Sequence, residues 1–317
     1  MSCTYTLLSH QQLLKIEGKD AFTFLQGQLS CDLRDVVKEG SRLGSHCNIK
    51  GHMISLFRVM AKGDECFLLR SHRSLAEKAL AQLKKYIIFS KATATLETDA
   101  KGIGFYGSDL LNTLPKLLAI TADQLPTSPS HTLVTETGIL CCIQPDRYEF
   151  WTTEEQQARL LAQLQHEAVL MSLEQWVLQE IRDGIADLRE ETSELFIPQM
   201  VNLQVFEGIN FRKGCYTGQE IITRLQHRGI LKRPMYRVKC STPESPQVGQ
   251  MIHCDAKEGV GQVLLVAETE EPGVYEMLAV IVKERAEQDN LWLADQVALE
   301  VLDLPYTLDA RLFESKR

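Results

Sequence analysis

Residues 211–220 read FRKGCYTGQE, and this is where the chain's chemistry is most concentrated. Gly214 and Gly218 bracket Cys215, Arg212 and Lys213 precede it, and the apolar run IITRL opens a helix behind it. A thiol in such a turn can act as a nucleophile or as a soft ligand for iron, both as the thiolate. Neighbouring cations and the positive end of a following helix favour that form. The glycines permit positive φ or the close approach of another molecule. The competing reading is a glycine turn around a small buried thiol, the common fate of a free cysteine. The two readings differ in one observable: a reactive sulfur must be reachable from solvent.

The surrounding segment is cationic in a chain that is not. Between Phe211 and Lys239 stand eight lysines or arginines, Arg228 among them, against one acid, Glu220, whereas the whole chain carries a net charge of −8. That balance excludes a protein coated in cations for bulk nucleic-acid binding. The local excess can be a solvated helix face, a clamp for an anionic ligand tail, or a docking surface for an acidic protein or an RNA backbone. The nine cysteines contain no C-x-x-C pair, and their odd number and irregular spacing do not suit a secreted disulfide framework. They fit reduced thiols in a cytoplasmic protein. Iron–sulfur clusters usually need four protein ligands, and no cluster-spaced set exists here. A stable metal site is therefore not expected, and coordination by Cys215 would be transient or shared with a partner.

A second candidate is Trp176, in SLEQWVLQEIRDG. Ser172 and Gln175 form a capping-box pattern, and Leu173, Trp176, Val177 and Ile181 share one helical face. Such a tryptophan is either core or a flat surface for a stacked ring. Asp183 follows at the end of that helix, where it is either a solvated acid or a charge-assisted acceptor.

These residues need elements to hold them. LLKIEG reads as a strand ending at Gly18, and Asp20 as the cap of a helix through AFTFLQGQL. MISLFRVMA and ECFLLR read as strands about a Lys62-Gly63-Asp64 turn. Ser74 with Glu77 suggests the capping box of a helix whose apolar face is Leu75, Ala79, Leu80 and Leu83. SDLLNTLPKLLAI predicts a helix broken near Pro115, GILCCIQ and RYEFWTT predict strands, and EEQQARLLAQLQHEA a helix. The order β, α, β, β, α recurs, which suggests that residues 1–232 hold two related α/β modules, about 1–95 and 96–232, either consecutive or interleaved. From Met235 the strands MYRVKC, QMIHC, GVGQVLLVAE and VYEMLAVIV predict an antiparallel β-barrel over 233–317. The first residues lack a basic segment followed by an apolar one, so no secretory leader is expected, and no apolar run is long enough to span a bilayer.

KGCYTGQE followed by Arg224, Arg228, Gly229, Lys232 and Arg233 resembles the signature of the YgfZ family of folate-binding proteins, relatives of the glycine-cleavage T protein, an aminomethyltransferase. FLQGQLSCDL, HCNIKGHM, LKKYIIFSK, FIPQMVNLQ and LPYTL extend the resemblance along nearly the whole chain. It implies an α+β, T-protein-like fold: two α/β modules and a C-terminal antiparallel barrel around a central funnel for tetrahydrofolate or a one-carbon derivative. It implies folate contacts from Trp176, Asp183 and Arg228, and a functional motif of Lys213, Gly214, Cys215, Tyr216, Gly218, Gln219 and Glu220. Its expected partners are iron–sulfur assembly proteins or iron–sulfur tRNA-modifying enzymes such as the tRNA methylthiotransferase, with direct tRNA contact the less favoured alternative. The aminomethyltransferases carry an acidic pair where this chain has Ser55 and Leu56, so transferase activity is not expected. The alternatives are a folate-dependent one-carbon transferase and a non-catalytic docking module.

Overall fold

The structure, a computed structural model, describes residues 3–314. Two compact units are each assembled from separate stretches of chain: 1–26, 32–42 and 57–176 in the first, and 27–31, 43–56 and 177–317 in the second.

In the first unit a six-stranded sheet runs in the order Val169–Leu170, Thr4–Leu7, Ala100–Tyr106, Arg147–Thr153, Gly138–Gln144, Thr132–Val134. Its buried side chains, including Ile103, Phe105, Tyr148 and Phe150, join Leu110, Leu114 and Leu164 in one core. Here the helix Leu110–Leu117 carries Pro115 inside it rather than breaking there. A second set of antiparallel strands pairs residues 58–61 with Cys66–His72, then Gln11–Glu17, then Thr93–Glu97. The helix Arg73–Tyr86 packs on these strands through Leu75, Ala76, Ala79, Leu80 and Leu83. Its start differs from the expected Ser74 box. His72 is the cap, its ring Nδ1 accepting from the Ser74 amide at 3.2 Å, which starts the helix at Arg73.

In the second unit the chain from Met235 closes a six-stranded barrel, in the order Met235–Ser241, Val274–Ile281, Lys257–Glu268, Met251–Cys254, Leu291–Trp292, Ala298–Leu302. Val238, Ile252, Val263, Met277 and Ala279 fill it. The sequence pattern does not announce the last two strands, because one is two residues long and the other alternates poorly. The strand stretches 43–47 and 53–56 also belong to this unit, joined by a tight turn over 48–52. Among the described residues no helix is long and apolar enough to cross a membrane.

Candidate functional site

The site grows from three consecutive backbone carbonyls. Leu29 bridges to His46, and Ser30 and Cys31 bend away beside the 43–47 strand: the Ser30 amide donates to the Ser45 carbonyl at 3.0 Å, and the Ser45 amide returns a bond to Ser30 Oγ at 2.9 Å. Ser30 Oγ also donates to the Gly208 carbonyl at 2.6 Å, which fixes the start of the motif loop. The Asn210 amide then takes the Ser30 carbonyl at 2.9 Å. The Asn210 side-chain oxygen accepts from the amides of Arg212 (2.8 Å) and Lys213 (3.0 Å), an Asx turn that bends the chain.

Lys213 completes the attachment. Its ammonium donates to the carbonyls of Leu29 (2.7 Å) and Cys31 (2.6 Å) and lies 5.1 Å from the centre of the Tyr216 ring. Sequence order places this cation next to the sulfur. The structure instead commits it to the backbone oxygens of Leu29 and Cys31 beneath the loop. Lys213 and Tyr216 are each 6% exposed, while Gly214 and Cys215 between them are exposed. Two buried anchors in mutual cation–π contact thus hold up a two-residue crest that ends in a thiol. The other eight cysteines are buried, apart from a partly covered Cys66. Cys215 therefore meets the condition set by a reactive role, and the entombed-thiol reading is excluded.

The glycines of the motif differ in what demands them. Gly218 has φ +83°, and a Cβ there would lie 2.6 Å from the Asn48 carbonyl oxygen and 3.1 Å from Gly51 Cα. The 48–52 turn is itself pinned by Asn48 Oδ1, which accepts from the amides of Lys50 and His52. Gly218 lets the chain pass over that turn and begin the helix Gln219–Arg228. Gly214 has no positive φ, and no atom lies within 4 Å of the point where a Cβ would stand.

The helix presents Gln219, Glu220, Thr223, Arg224, His227 and Arg228 to a surface hollow of about 630 Å³. Arg224 and Arg228 make no ion pair among the described residues, and the buried Thr223 hydroxyl has no hydrogen-bond partner. The opposite side is braced: Ile222 is buried, and Gln199 Nε2 donates to its carbonyl at 2.7 Å. Thus Arg228 shares one helix with Gln219 and Glu220, and the motif Lys213–Glu220 leads directly into it.

Asp183 and Trp176 stand elsewhere. The Ser172–Gln175 box forms as expected, with both reciprocal bonds at 3.1 Å. Trp176, in the first unit, is 1% exposed. The Arg147 guanidinium lies 5.2 Å from its ring centre, and a Cβ on Gly104 would fall 2.6 Å from the ring. Asp183, in the second unit, is half-buried at the end of the helix Leu173–Arg182, whose Arg182 pairs with Glu270 and Glu276. Gly184 follows at φ +65°, held by the Tyr306 hydroxyl on its carbonyl at 2.9 Å; Asn202 Nδ2 donates back to that hydroxyl at 3.4 Å. LPYTL and FIPQMVNLQ therefore meet at the turn after Asp183, a role that sequence reasoning misses. It misses Ser30, Ser45 and Asn210 too; the signal for Ser30 lies in FLQGQLSCDL, which reads only as resemblance.

Two buried groups complete the picture. His46 is fully buried with no hydrogen bond to either ring nitrogen, and burial pushes its pKa down to about 4, so the ring is neutral. Burial, with Cys47 and Cys31 nearby, raises the Tyr216 phenol above its ordinary range. Ser55 and Leu56, the replacements for an acidic pair, are both buried, and no carboxylate stands in their place. Among the described residues no group of three or more His, Cys, Asp or Glu is placed to hold a metal ion.

Comparison with known proteins places the whole chain. It is 30% identical over 308 residues to the tRNA-modifying protein YgfZ of Aliivibrio fischeri (strain MJ11), covering 96% of this chain and 93% of that one. It is 32% identical over 314 residues to the protein of the same name from Escherichia coli O45:K1 (strain S88), covering 96% and 94%. Among solved structures, the glycine cleavage system aminomethyltransferase T of Bartonella henselae superposes with a TM-score of 0.78 at 16% identity, over 96% of this chain and 86% of that one. The expected T-protein-like fold is thereby shown. No family model matches the chain.

Proposed function

Because the chain belongs to the YgfZ family of tRNA-modifying proteins, we propose that it is a reduced-folate-binding factor that supports iron–sulfur enzymes and, through them, tRNA modification, with Cys215 as its reactive group. The observation that carries this reading is the exposed Cys215 crest, held up by the buried Lys213 and Tyr216. A fold that merely needed a small residue would not build two anchors to keep a sulfur in solvent.

The residues fit a folate in part. Its glutamate tail is anionic, and the hollow on the Gln219–Arg228 helix offers Arg224 and Arg228 without ion pairs and an unsatisfied Thr223 hydroxyl. Those three would hold the tail, and Asp183 would accept hydrogen bonds from the amidine-like edge of the pterin. Trp176, 1% exposed with the Arg147 guanidinium over its ring, offers a pterin no open face as it stands. When bound, a reduced folate supplies a carrier for a one-carbon unit. This chain's own contribution is a reachable thiol and a cationic hollow. The transferase alternative lacks its acid: buried Ser55 and Leu56 offer no group to assist release of an amine.

The test is Cys215→Ser. The variant should fold normally, because the side chain is exposed, and should fail to complement a strain defective in tRNA methylthiolation. Wild-type levels of the modified base in that strain refute the thiol role. Folate binding is read separately, by titrating tetrahydrofolate against tryptophan fluorescence in the wild type and in Trp176→Phe. A wild type that shows no saturable change refutes the folate assignment.

A further inference from the structure

LKKYIIFSK, at 83–91, resembles its family counterpart but has no part in the site above. The Arg73–Tyr86 helix buries its apolar face down to Leu83 and then passes into the single 3₁₀ turn Ile87–Phe89. Here the pattern inverts. Tyr86 is 48% exposed, Ile88 72% and Phe89 97%, so three large apolar side chains stand in water at one turn. Tyr86 closes the α-helix and Phe89 closes the 3₁₀ turn three residues later, so two exposed aromatic rings stand within one turn of each other. Lys84, Lys85 and Lys91 flank them, and none of the three makes an ion pair among the described residues. Lys85 donates to Gln82 Oε1 at 3.0 Å, and the Lys91 amide is held by the Asp20 carboxylate at 2.7 Å, so the backbone beyond the turn is fixed while the ammonium groups are not neutralised.

We propose that this turn is a contact for unpaired RNA bases. Two exposed aromatic rings within one turn, with cations on both flanks, are the composition on which single-stranded nucleic acid stacks and its phosphates are neutralised. An apolar protein surface would satisfy Ile88 and Phe89 but would leave the charges of Lys84, Lys85 and Lys91 unanswered. The net charge of −8 opposes unspecific RNA binding, and at this turn the attraction comes from three cations and from stacking. The inference rests on the proposed role in tRNA modification, and it names the nucleic acid as a direct partner.

The experiment is an anisotropy titration of the full-length protein with a fluorescent, unmodified tRNA anticodon stem–loop and with a fully paired duplex of the same length. The stem–loop should bind more tightly than the duplex. The slope of log K against log salt should be about −2, from three phosphate contacts at about 0.7 each. Phe89→Ala and Phe89→Leu should both weaken stem–loop binding about tenfold, as expected for the loss of one stacked base, and Lys91→Gln should flatten the slope by about 0.7. Both side chains lie at the surface, so the fold is not at issue. Phe89→Leu separates the classes of partner, since leucine keeps an apolar protein contact but has no π-face. The inference is overturned if the wild type does not bind the stem–loop, or if the Phe89 variants bind it equally well. It is also overturned if Phe89→Ala abolishes tRNA modification in cells while Phe89→Leu restores it, which marks a protein contact. Failure of the folate or thiol reading would appear instead in the tetrahydrofolate titration and in Cys215→Ser, neither of which reports on Phe89.

Discussion

Replacing Lys213 with methionine isolates what holds the thiol crest. The apolar side chain keeps most of the stem volume and removes the ammonium. Two charge-assisted bonds disappear, to the Leu29 and Cys31 carbonyls at 2.7 and 2.6 Å. Each carbonyl left buried without its donor costs about 1–3 kcal/mol. The contact with the Tyr216 ring, 5.1 Å from the nitrogen, is lost as well, at about 0.5–2 kcal/mol. Against this stands the relief of no longer desolvating a charge, several kcal/mol by itself. The net loss should be about 2–4 kcal/mol, and it should be local, because these partners lie in 27–31 and 208–218. In hydrogen exchange, the amides of Lys213 and Thr217 should then open about 30–1000-fold more often, whereas those of the barrel strand Val274–Ile281 should exchange at the wild-type rate. Peptide-level exchange measured by mass spectrometry reads both regions in one sample. Unchanged exchange over 208–218 would show that the ammonium is dispensable and that the anchoring argument is wrong.

Gly218→Ala and Gly214→Ala form a pair with opposite expectations. At Gly218 a left-handed backbone and a Cβ 2.6 Å from the Asn48 oxygen should together cost about 2–3 kcal/mol and lower the Tm by about 5–10 °C. At Gly214, where nothing lies within 4 Å, the Tm should stay within about 1–2 °C of the wild type; equal effects in thermal denaturation would refute the distinction. The hydrogen bond from Arg182 lowers the Glu270 pKa from 4.5 to about 2, so this ion pair's stabilisation is fully present above pH 4.5 and is lost as pH falls through about 2. Glu270→Gln should therefore show a shallower fall in stability between pH 4.5 and 2, and acid titrations identical to the wild type would remove the pair from the account.

How much of this was legible in the sequence depended on the range of the interaction. The Ser172–Gln175 box and the Lys62-Gly63-Asp64 turn are local, and both form. The barrel was legible from four alternating strands, but its short closing strands carry too few residues for a pattern. The Ser74 box failed locally, because the His72 imidazole competes for the Ser74 amide and sequence rules do not rank it as a cap. Lys213 failed for the opposite reason. Its partners lie more than 180 residues away in the chain, and proximity in sequence to Cys215 suggested an electrostatic role that the fold assigns elsewhere. The exposure of Cys215 was legible, because glycine on both sides of a cysteine is a statement about access.

That statement can now be divided between the two glycines. Gly218 answers to the fold: its φ and its approach to the 48–52 turn admit no side chain. Gly214 answers to nothing inside the molecule, since its backbone suits any residue and its missing Cβ would stand in open space. A position that internal packing leaves unrestricted, placed next to the exposed thiol and above two buried anchors, gains from glycine only when something from outside must come close. Bareness at residue 214 widens the approach to the Cys215 sulfur. The interior of the loop is thus organised to hold the crest still, and its exterior is left open for another molecule. This asymmetry separates a presented thiol from a structural one.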